Sequence, residues 1–294
     1  MKLKCELKNY RAAPGKRIRL SKWATKAKPL YTSPEHYSEM LAEYRGEISS
    51  LQDVLYAHNR YALLLIFQGM DTSGKDGAIK HVMSGVNPQG CQVFSFKQPS
   101  EEELSHDFLW RTNQRLPERG RIGIFNRSYY EEVLIARVNP EVLKKQRLPA
   151  EFLHSKKIWG ERFQDLLSLE SYLHRNGTRI VKIFLHVSKS EQKQRLLARI
   201  DEPGKNWKLS GSDLEVRRQW KAFQEAYEDC LGATTSEHAP WYIVPADDKK
   251  NARLIISKII VDILKTLHMS YPVAGKKHRK ELDEMRRQLK KEKK

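Results

Sequence analysis

Cysteine is scarce in this sequence, and its spacing matches neither a disulfide framework nor a zinc site. The 294 residues include three cysteines, Cys5, Cys91 and Cys230, and none belongs to a Cys-x-x-Cys or Cys-x-x-His pair. Disulfide-rich secreted domains and structural zinc sites need more cysteines at closer spacing. The sequence therefore favours a reducing compartment, and we expect a cytoplasmic protein.

Long hydrophobic runs are missing as well. The apolar run at residues 62–67 is far shorter than the roughly 18 residues that a membrane-spanning helix requires. The first residues, Met1-Lys2-Leu3-Lys4, lack the apolar core of a signal peptide. We therefore expect no membrane partner, and the 39% of apolar residues is typical of an ordinary globular core.

Acidic residues are outnumbered by basic ones. The sequence has 54 lysines and arginines against 36 aspartates and glutamates, which gives a formal net charge of +18. Such a surface attracts polyanions, whether these are nucleic acids, anionic membranes or phosphate-rich substrates. The charge alone does not choose among the three.

The order of the predicted elements indicates an α/β fold. Apolar runs typical of strands occur at residues 62–67, 91–96, 121–125, 179–187 and 241–244, and helical patterns occur at 34–59, 75–84, 100–114, 150–175 and 248–267. Strands that alternate with helices form a parallel sheet covered on both faces. We expect a basic arm at residues 1–33, one domain at 34–270 and a basic tail at 271–294.

A glycine-framed loop follows the first predicted strand. Gly69-x-x-x-x-Gly74-Lys75 matches the phosphate-binding P-loop up to its last position, between a strand and a helix as the motif requires. Glycines allow the backbone N–H groups to face phosphate oxygens, while the helix dipole and Lys75 add positive charge. The loop therefore predicts a phosphate site.

Two acids set this loop apart from the usual motif. The P-loop normally continues with a Ser or Thr that binds Mg²⁺, whereas here Asp76 follows Lys75 and Asp71 lies inside the loop. Carboxylates beside phosphates make sense if they hold a divalent cation between themselves and the phosphates. The alternatives are a turn residue for Asp71 and a first-turn helix acid for Asp76.

The end of the third predicted strand should lie beside the P-loop. Asn126 stands where P-loop enzymes usually carry a metal-associated acid, and Arg127 and Glu131 follow it. Ligands of parallel sheets bind at this edge, where an arginine can bridge the oxygens of a phosphoryl group in transfer. A structural salt bridge between Arg127 and a neighbouring glutamate is the alternative.

Residues 199–221 are rich in basic side chains on both sides of a Pro-Gly turn. Arg199 and Lys208 lie around the turn, and Arg217 and Arg218 lie on the next predicted helix. This segment resembles the mobile lid of a nucleotide-phosphorylating kinase, whose arginines close over the phosphoryl group and exclude water. A solvated helical hairpin is the alternative.

Four motifs in chain order are together similar to the polyphosphate kinase 2 family. They are Gly69-Met-Asp-Thr-Ser-Gly-Lys-Asp-Gly77, Phe125-Asn-Arg-Ser-Tyr-Tyr-Glu131, Arg199-Ile-Asp-Glu-Pro-Gly-Lys-Asn-Trp-Lys208 and Ala239-Pro-Trp-Tyr-Ile-Val-Pro-Ala-Asp-Asp-Lys249. The resemblance extends over about residues 15–270. It implies a three-layer α/β/α P-loop kinase fold of the thymidylate-kinase type, with a five-stranded parallel sheet and a helical lid.

The resemblance also implies an activity, which is phosphoryl transfer between inorganic polyphosphate and a nucleotide with Mg²⁺, or Mn²⁺, as cofactor. Asp71 and Asp76 would hold the metal, Lys75 would stabilise the transferring group, and Arg127 would hold phosphates. The nucleotide- or phosphate-binding candidates are Gly69, Met70, Thr72, Ser73, Gly74, Gly77, Lys80, Asn126, Glu131, Arg199, Lys208, Arg217 and Arg218. Homodimers or homotetramers are expected, without a nucleic-acid partner.

Within the family, Asn126 and the pair Glu131-Glu132 are similar to class III members, which accept both AMP and ADP. Adenine nucleotides are the expected acceptors, and guanine nucleotides are the second choice. No histidine lies in the loop motifs, so we expect direct in-line transfer without a phosphohistidine intermediate.

Two functions of other classes remain open. An ATP-dependent kinase of a nucleotide or small metabolite would use the P-loop conventionally, but the missing Ser or Thr after Lys75 argues against it. A nucleic-acid-binding P-loop protein is suggested by the charge, but it would need a basic and aromatic recognition surface that the sequence does not show.

Overall fold

A five-stranded parallel sheet forms the centre of the structure. The structure is a computed structural model that describes residues 6–209 and 211–292 apart from the side chains of Lys208 and Ser212. The strands are β1 (Ala62–Gln68), β2 (Cys91–Ser95), β3 (Ile122–Asn126), β4 (Thr178–His186) and β5 (Trp241–Pro245). Their order is β2-β3-β1-β4-β5, and every pair is parallel. All seven residues of the central strand β1 are buried, as expected for a strand covered on both faces.

Helices cover both faces of this sheet. They are α1 (Pro34–His58), α2 (Lys75–Val82), α3 (Glu101–Leu104), α4 (Trp110–Asn113), α5 (Glu131–Val138), α6 (Pro140–Lys144), α7 (Ala150–Leu153), α8 (Ile158–Arg175), α9 (Lys189–Asp201), α10 (Gly211–Arg218), α11 (Trp220–Thr234), α12 (Lys249–Lys265) and α13 (Lys276–Lys291). Helices α1, α2 and α12 pack together on one side, and α5, α8 and α11 pack together on the other. The predicted three-layer α/β/α fold with five parallel strands is confirmed.

The boundaries of α1 follow from local chemistry. Ser33 caps the helix, because its Oγ accepts a hydrogen bond from the backbone N of His36, and Pro34 occupies the first turn. The helix ends where Asn59 adopts φ 51°. Its apolar face, which includes Met40 and Ile48, is buried.

Two predicted helices are shorter in the structure than in the sequence analysis. The segment 100–114 contains only α3 and α4, and the segment 150–175 contains α7 and α8. Asp107 accepts a hydrogen bond from the backbone N of Leu109, and Ser155 accepts one from Lys157. Short polar side chains of this kind compete with the helical hydrogen bonds and interrupt the helix.

The N-terminal arm lies against the outer side of β5. The backbone N of Ala12 donates to the carbonyl of Trp241 (2.9 Å), and the backbone N of Ile243 donates to the carbonyl of Tyr10 (2.7 Å). Ile18 in the same arm is buried in the core. These bonds tie the basic arm to the domain.

The C-terminal helix α13 is exposed along its length. Its exposed apolar residues are Leu282, Met285 and Leu289. In the described part of the chain, no helix combines the length and apolar character needed to cross a membrane.

Candidate functional site

The loop between β1 and α2 is wrapped tightly. Gly69 has φ 152°, and a Cβ at this position would lie 2.7 Å from Ser73 Oγ and 2.9 Å from the carbonyl oxygen of Leu185. Thr72 and Gly74 also have positive φ angles, 62° and 104°. A loop of this shape turns its backbone inward, and the N-terminus of α2 adds its dipole at the same point.

Lys75 reaches back across the loop from the first turn of α2. Its Nζ donates to the carbonyl of Gly69 at 2.7 Å and contacts that of Met70 at 3.4 Å. Burial, and next the positive charge of Arg127, lower the pKa of Lys75 to about 8. The ammonium is held inside the loop, where an incoming phosphate group would meet it.

Arg127 connects the end of β3 to the P-loop. Its Nη2 lies 2.7 Å from Asp71 Oδ1, and its Nη1 lies 3.2 Å from Glu131 Oε2. The residue has φ 64°, and its backbone N donates to the carbonyl of Phe67 on β1. The nearby carboxylates, Glu131 first, raise the pKa of the guanidinium. The salt bridge to a neighbouring glutamate, which was the alternative interpretation, exists, but the same arginine also binds the acid of the loop.

A second contact between β3 and the loop involves the other acid. Asn126, the last residue of β3, donates through Nδ2 to Asp76 Oδ1 at 2.8 Å. The same amide group lies 3.4 Å from Ser95 Oγ at the end of β2. Both acids of the loop are thus oriented by residues at the carboxyl end of β3, which is the ligand-binding edge of a parallel sheet.

The acids fit a divalent cation that shares its ligands with a substrate. Asp71 is partly exposed and Asp76 is exposed toward the cleft. Within the described residues, no cluster of three or more His, Cys, Asp or Glu side chains could enclose a metal. One or two carboxylates completed by phosphate oxygens and water are typical of Mg²⁺ at phosphate sites. The donor set therefore fits Mg²⁺ bound together with phosphates.

A cleft of about 1230 Å³ opens over the loop. The predicted site residues that line it are Gly69, Met70, Asp71, Thr72, Ser73, Gly74, Lys75, Asp76, Gly77, Asn126, Arg127, Glu131 and Arg199. The structure therefore gathers most of the predicted site in one cavity, although the motifs are up to 130 positions apart (199 − 69).

Other basic residues that line the same cleft were not among the predicted site residues. They are Lys97, Arg111, Lys145, Arg195, Lys205, Lys249 and Arg253. Lys249 begins α12, four positions after the last residue of β5, and burial is the main cause that lowers its pKa. Its position after the end of a parallel strand was the available signal.

Three predicted phosphate ligands lie away from the cleft. Lys80, Arg217 and Arg218 are not among its lining residues in the described part of the chain. Lys80 is exposed on α2, while Arg217 donates to the carbonyl of Lys189 and to Gln192 Oε1. The fourth candidate of the lid, Lys208, has a side chain outside the described residues.

A buried polar network fixes the start of α5. Tyr129 and Tyr130 both donate to Glu170 Oε1, at 3.0 and 2.7 Å, and Lys182 Nζ donates to Glu170 Oε2 at 2.6 Å. Lys182 and Glu170 have no exposed side-chain surface. Because the two tyrosines lie between Arg127 and Glu131 in the chain, this network holds the backbone that presents both.

Comparison with known proteins places this architecture among relatives of one kind. The family described as Polyphosphate kinase 2 matches residues 31–272. An ADP-polyphosphate phosphotransferase of Rhodopseudomonas palustris is 57% identical over 98% of this chain and 99% of its own length. An AMP/ADP-polyphosphate phosphotransferase of Meiothermus ruber is 40% identical over 90% of this chain and 96% of its own length.

A solved structure agrees with these sequence relatives. The crystal structure of polyphosphate kinase 2 from Arthrobacter aurescens TC1 superposes with a TM-score of 0.83 at 37% identity, covering 93% of this chain and 94% of that one. The family match over residues 31–272 includes the sheet, the P-loop and the segment that carries Arg199. The chain belongs to the polyphosphate kinase 2 family.

Proposed function

We propose that this chain is a polyphosphate-dependent nucleotide kinase. It transfers the terminal phosphoryl group of inorganic polyphosphate to AMP and ADP, and it runs the reaction in reverse from ATP. The carrying observation is that each acid of the P-loop is bound by a residue at the end of β3, Asp71 by Arg127 and Asp76 by Asn126. The names of the two relatives, which refer to ADP and to AMP/ADP, support this proposal.

The reaction needs no covalent enzyme intermediate. An oxygen of the acceptor's terminal phosphate attacks the terminal phosphorus of polyphosphate and forms a new P–O bond. The P–O bond between that phosphorus and the rest of the polyphosphate breaks, and the bridging oxygen leaves with the shortened polyphosphate and carries the negative charge. Lys75 and Arg127 lie in the cleft where this charge redistributes. Their contribution is positioning and electrostatic stabilisation.

The residues of the loop also explain the metal requirement that we propose. Asp71 and Asp76 would hold Mg²⁺, and Mn²⁺ as a substitute, beside the phosphates. When bound, the cation neutralises phosphate charge and helps to align the donor and the acceptor. Arg127 keeps Asp71 in place from the other side through a 2.7 Å contact.

The remaining features extend the proposal to the binding of the two substrates. We propose that residues 199–221 act as the lid and that the basic lining, Lys97, Lys145, Lys205 and Lys249, attracts polyphosphate. Adenine is the proposed base, with guanine nucleotides as the comparison. The free thiols of Cys91 and Cys230 support a cytoplasmic location, and the family resemblance supports a homodimer or homotetramer.

The deciding experiment offers purified protein and Mg²⁺ with polyphosphate as the sole donor and AMP or ADP as separate acceptors. We expect ATP from ADP, and ADP followed by ATP from AMP. ATP from ADP alone would remove AMP from the proposal. If no nucleotide is phosphorylated but ATP is consumed with small metabolites, the chain is a conventional P-loop kinase. DNA binding without any transfer would instead favour the nucleic-acid alternative.

A further inference from the structure

Helix α9 grips the P-loop from behind through three consecutive carbonyl groups. Gln192 Nε2 donates to the carbonyl of Asp71 at 3.2 Å, and Arg195 Nη1 donates to those of Thr72 and Ser73 at 3.0 and 2.9 Å. In a trans peptide the C=O and the next N–H point in opposite directions. Holding these carbonyls toward α9 therefore fixes the direction of the N–H groups that follow them in the loop.

The hydrogen bonds that Arg195 makes within the protein use every donor of its guanidinium. Besides the two loop carbonyls, its Nη2 donates to the carbonyls of Ala246 and Asp247 at 2.6 and 3.1 Å, and its Nε donates to Glu191 Oε1 at 2.8 Å. A guanidinium has five N–H groups, and all five have acceptors here. Although Arg195 lines the cleft, all of its N–H groups donate to acceptors within the protein.

Gln192 makes a different kind of connection. Its side chain is completely buried, and its Oε1 accepts a hydrogen bond from Arg217 Nη1 of α10 at 2.8 Å. A carbonyl can only accept and a guanidinium can only donate, so one amide orientation satisfies both neighbours. The amide therefore links the backbone of Asp71 to a residue of the predicted lid.

Arg217 fixes that amide from the lid side. The same Nη1 donates to the backbone carbonyl of Lys189, also at 2.8 Å, at the start of α9. Arg217 thus holds α10 against the first turn of α9 when its guanidinium is in this position. The contact explains why Arg217 lies outside the cleft in which the sequence analysis expected it.

We infer that Gln192 and Arg217 are positioning residues that connect the seating of the lid to the orientation of the P-loop at Asp71. The inference rests on the proposed function, because its kinetic readout is phosphoryl transfer. When α10 is seated, Arg217 orients the Gln192 amide, and the amide holds the Asp71 peptide. Without this relay, the loop samples orientations in which Asp71 and the following N–H groups are misplaced for transfer.

The test compares three variants with one matched control. Gln192→Met removes both hydrogen bonds of the amide at similar volume, and Gln192→Glu keeps an acceptor for Arg217 but loses the donor to Asp71. Arg217→Met removes the bonds from α10 to Gln192 and Lys189 and leaves the donor to Asp71 in place. The control is Gln194→Met, the same substitution on the exposed face of α9. Each protein is assayed for kcat and KM with ADP and polyphosphate, and hydrogen–deuterium exchange is followed in the fragment containing residues 69–77.

We expect Gln192→Met and Gln192→Glu to lower kcat about tenfold or more, with a smaller change in KM, because misplaced groups affect the transfer step most. Exchange of the loop amides should become faster in the same two variants. Arg217→Met should show smaller changes of the same kind. The double variant Gln192→Met/Arg217→Met should lose less than the product of the two single effects, because the link from Arg217 to the loop passes through the Gln192 amide, whereas its bond to the Lys189 carbonyl is separate.

Three results would overturn the inference. They are normal loop exchange in both Gln192 variants, a Gln192→Glu variant with wild-type kcat, and multiplicative effects in the double variant. Failure of the proposed function is recognised separately, because wild-type protein would then form no ATP, while Lys75→Ala provides the inactive reference. The exchange measurements need no substrate, so they test the loop contact in either case.

Discussion

Arg127 Nη2 lies 2.7 Å from Asp71 Oδ1, while Nη1 of the same guanidinium lies 3.2 Å from Glu131 Oε2. One side chain therefore joins the P-loop to the first turn of α5 and neutralises an acid on each. The planar fork of arginine allows this, because its two terminal nitrogens donate in different directions. The acid that would hold a metal is kept in position by a residue of the neighbouring strand end.

Replacing Arg127 by lysine keeps the positive charge but removes the two terminal nitrogens that bind Asp71 and Glu131 at the same time. We expect Arg127→Lys to lower kcat about ten- to hundredfold, because one ammonium cannot bridge Asp71 and Glu131 in the same geometry. Steady-state ATP formation from ADP and polyphosphate measures the effect. The matched control is Arg60→Lys at an exposed position. An Arg127→Lys enzyme as active as this control would show that the bridge has no role in transfer.

The affinity for polyphosphate should fall as the pH rises above 8. The pKa of Lys75 is lowered from 10.5 to about 8, so the free site carries an ammonium below pH 8 and loses it above. Because a bound polyanion favours the charged form, binding takes up a proton, and the affinity should decrease by up to about tenfold per pH unit. Calorimetric titration with tripolyphosphate from pH 7 to 9.5 measures this dependence. In Lys75→Arg, which stays charged, the bend near pH 8 should be absent.

Alanine at position 69 should disturb the loop without enlarging any side chain in the core. A Cβ there would lie 2.9 Å from the carbonyl oxygen of Leu185, and φ is 152°. We expect Gly69→Ala to lower the free energy of unfolding by about 1–3 kcal/mol and to reduce turnover. Urea denaturation and the transfer assay are the measurements. Gly46→Ala in α1, with no atom within 4 Å of the added Cβ, should instead stabilise by about 0.5–1 kcal/mol.

Replacing only one partner of the buried pair Lys182 and Glu170 should lower the free energy of unfolding more than replacing both partners. We expect Lys182→Met to reduce the free energy of unfolding by about 3–5 kcal/mol, because it leaves the Glu170 carboxylate buried without its cation. Adding Glu170→Gln should recover part of the loss, because the neutral amide can still accept from Tyr129 and Tyr130. Urea denaturation compares the variants. A double variant less stable than Lys182→Met would contradict this account.

The sequence predicted the sheet and the central part of the site for identifiable reasons. Buried parallel strands are short and strongly apolar, so all five were located, and the carboxyl ends of neighbouring strands must meet at one edge. For that reason the P-loop acids and the Asn126-Arg127 pair could be expected side by side before their contacts were known. The roles of these residues stay predictions until the variants are measured.

Other features were not predicted, some because local side-chain hydrogen bonds interrupt a helix and some because packing decides which way a side chain points. The breaks near Asp107 and Ser155 arise from side-chain hydrogen bonds that compete with a helix. The direction of Arg217 depends on how α10 lies on α9, so a basic residue in the lid segment gave no information on which side it faces. Lys249 follows two aspartates at the start of a helix, and its place after the end of a parallel strand was the signal that could have identified it as a cleft residue.

The hydrogen bonds between the N-terminal arm and β5 affect whether this edge of the sheet can pair with another polypeptide. A strand at the border of a sheet presents unpaired N–H and C=O groups that can recruit another polypeptide and start aggregation. The carbonyl of Trp241 and the N–H of Ile243 are already taken by Ala12 and Tyr10. The basic arm therefore covers the edge of the sheet. A chain shortened past Ala12 would expose the unpaired edge of β5, where another molecule of the protein could add a strand.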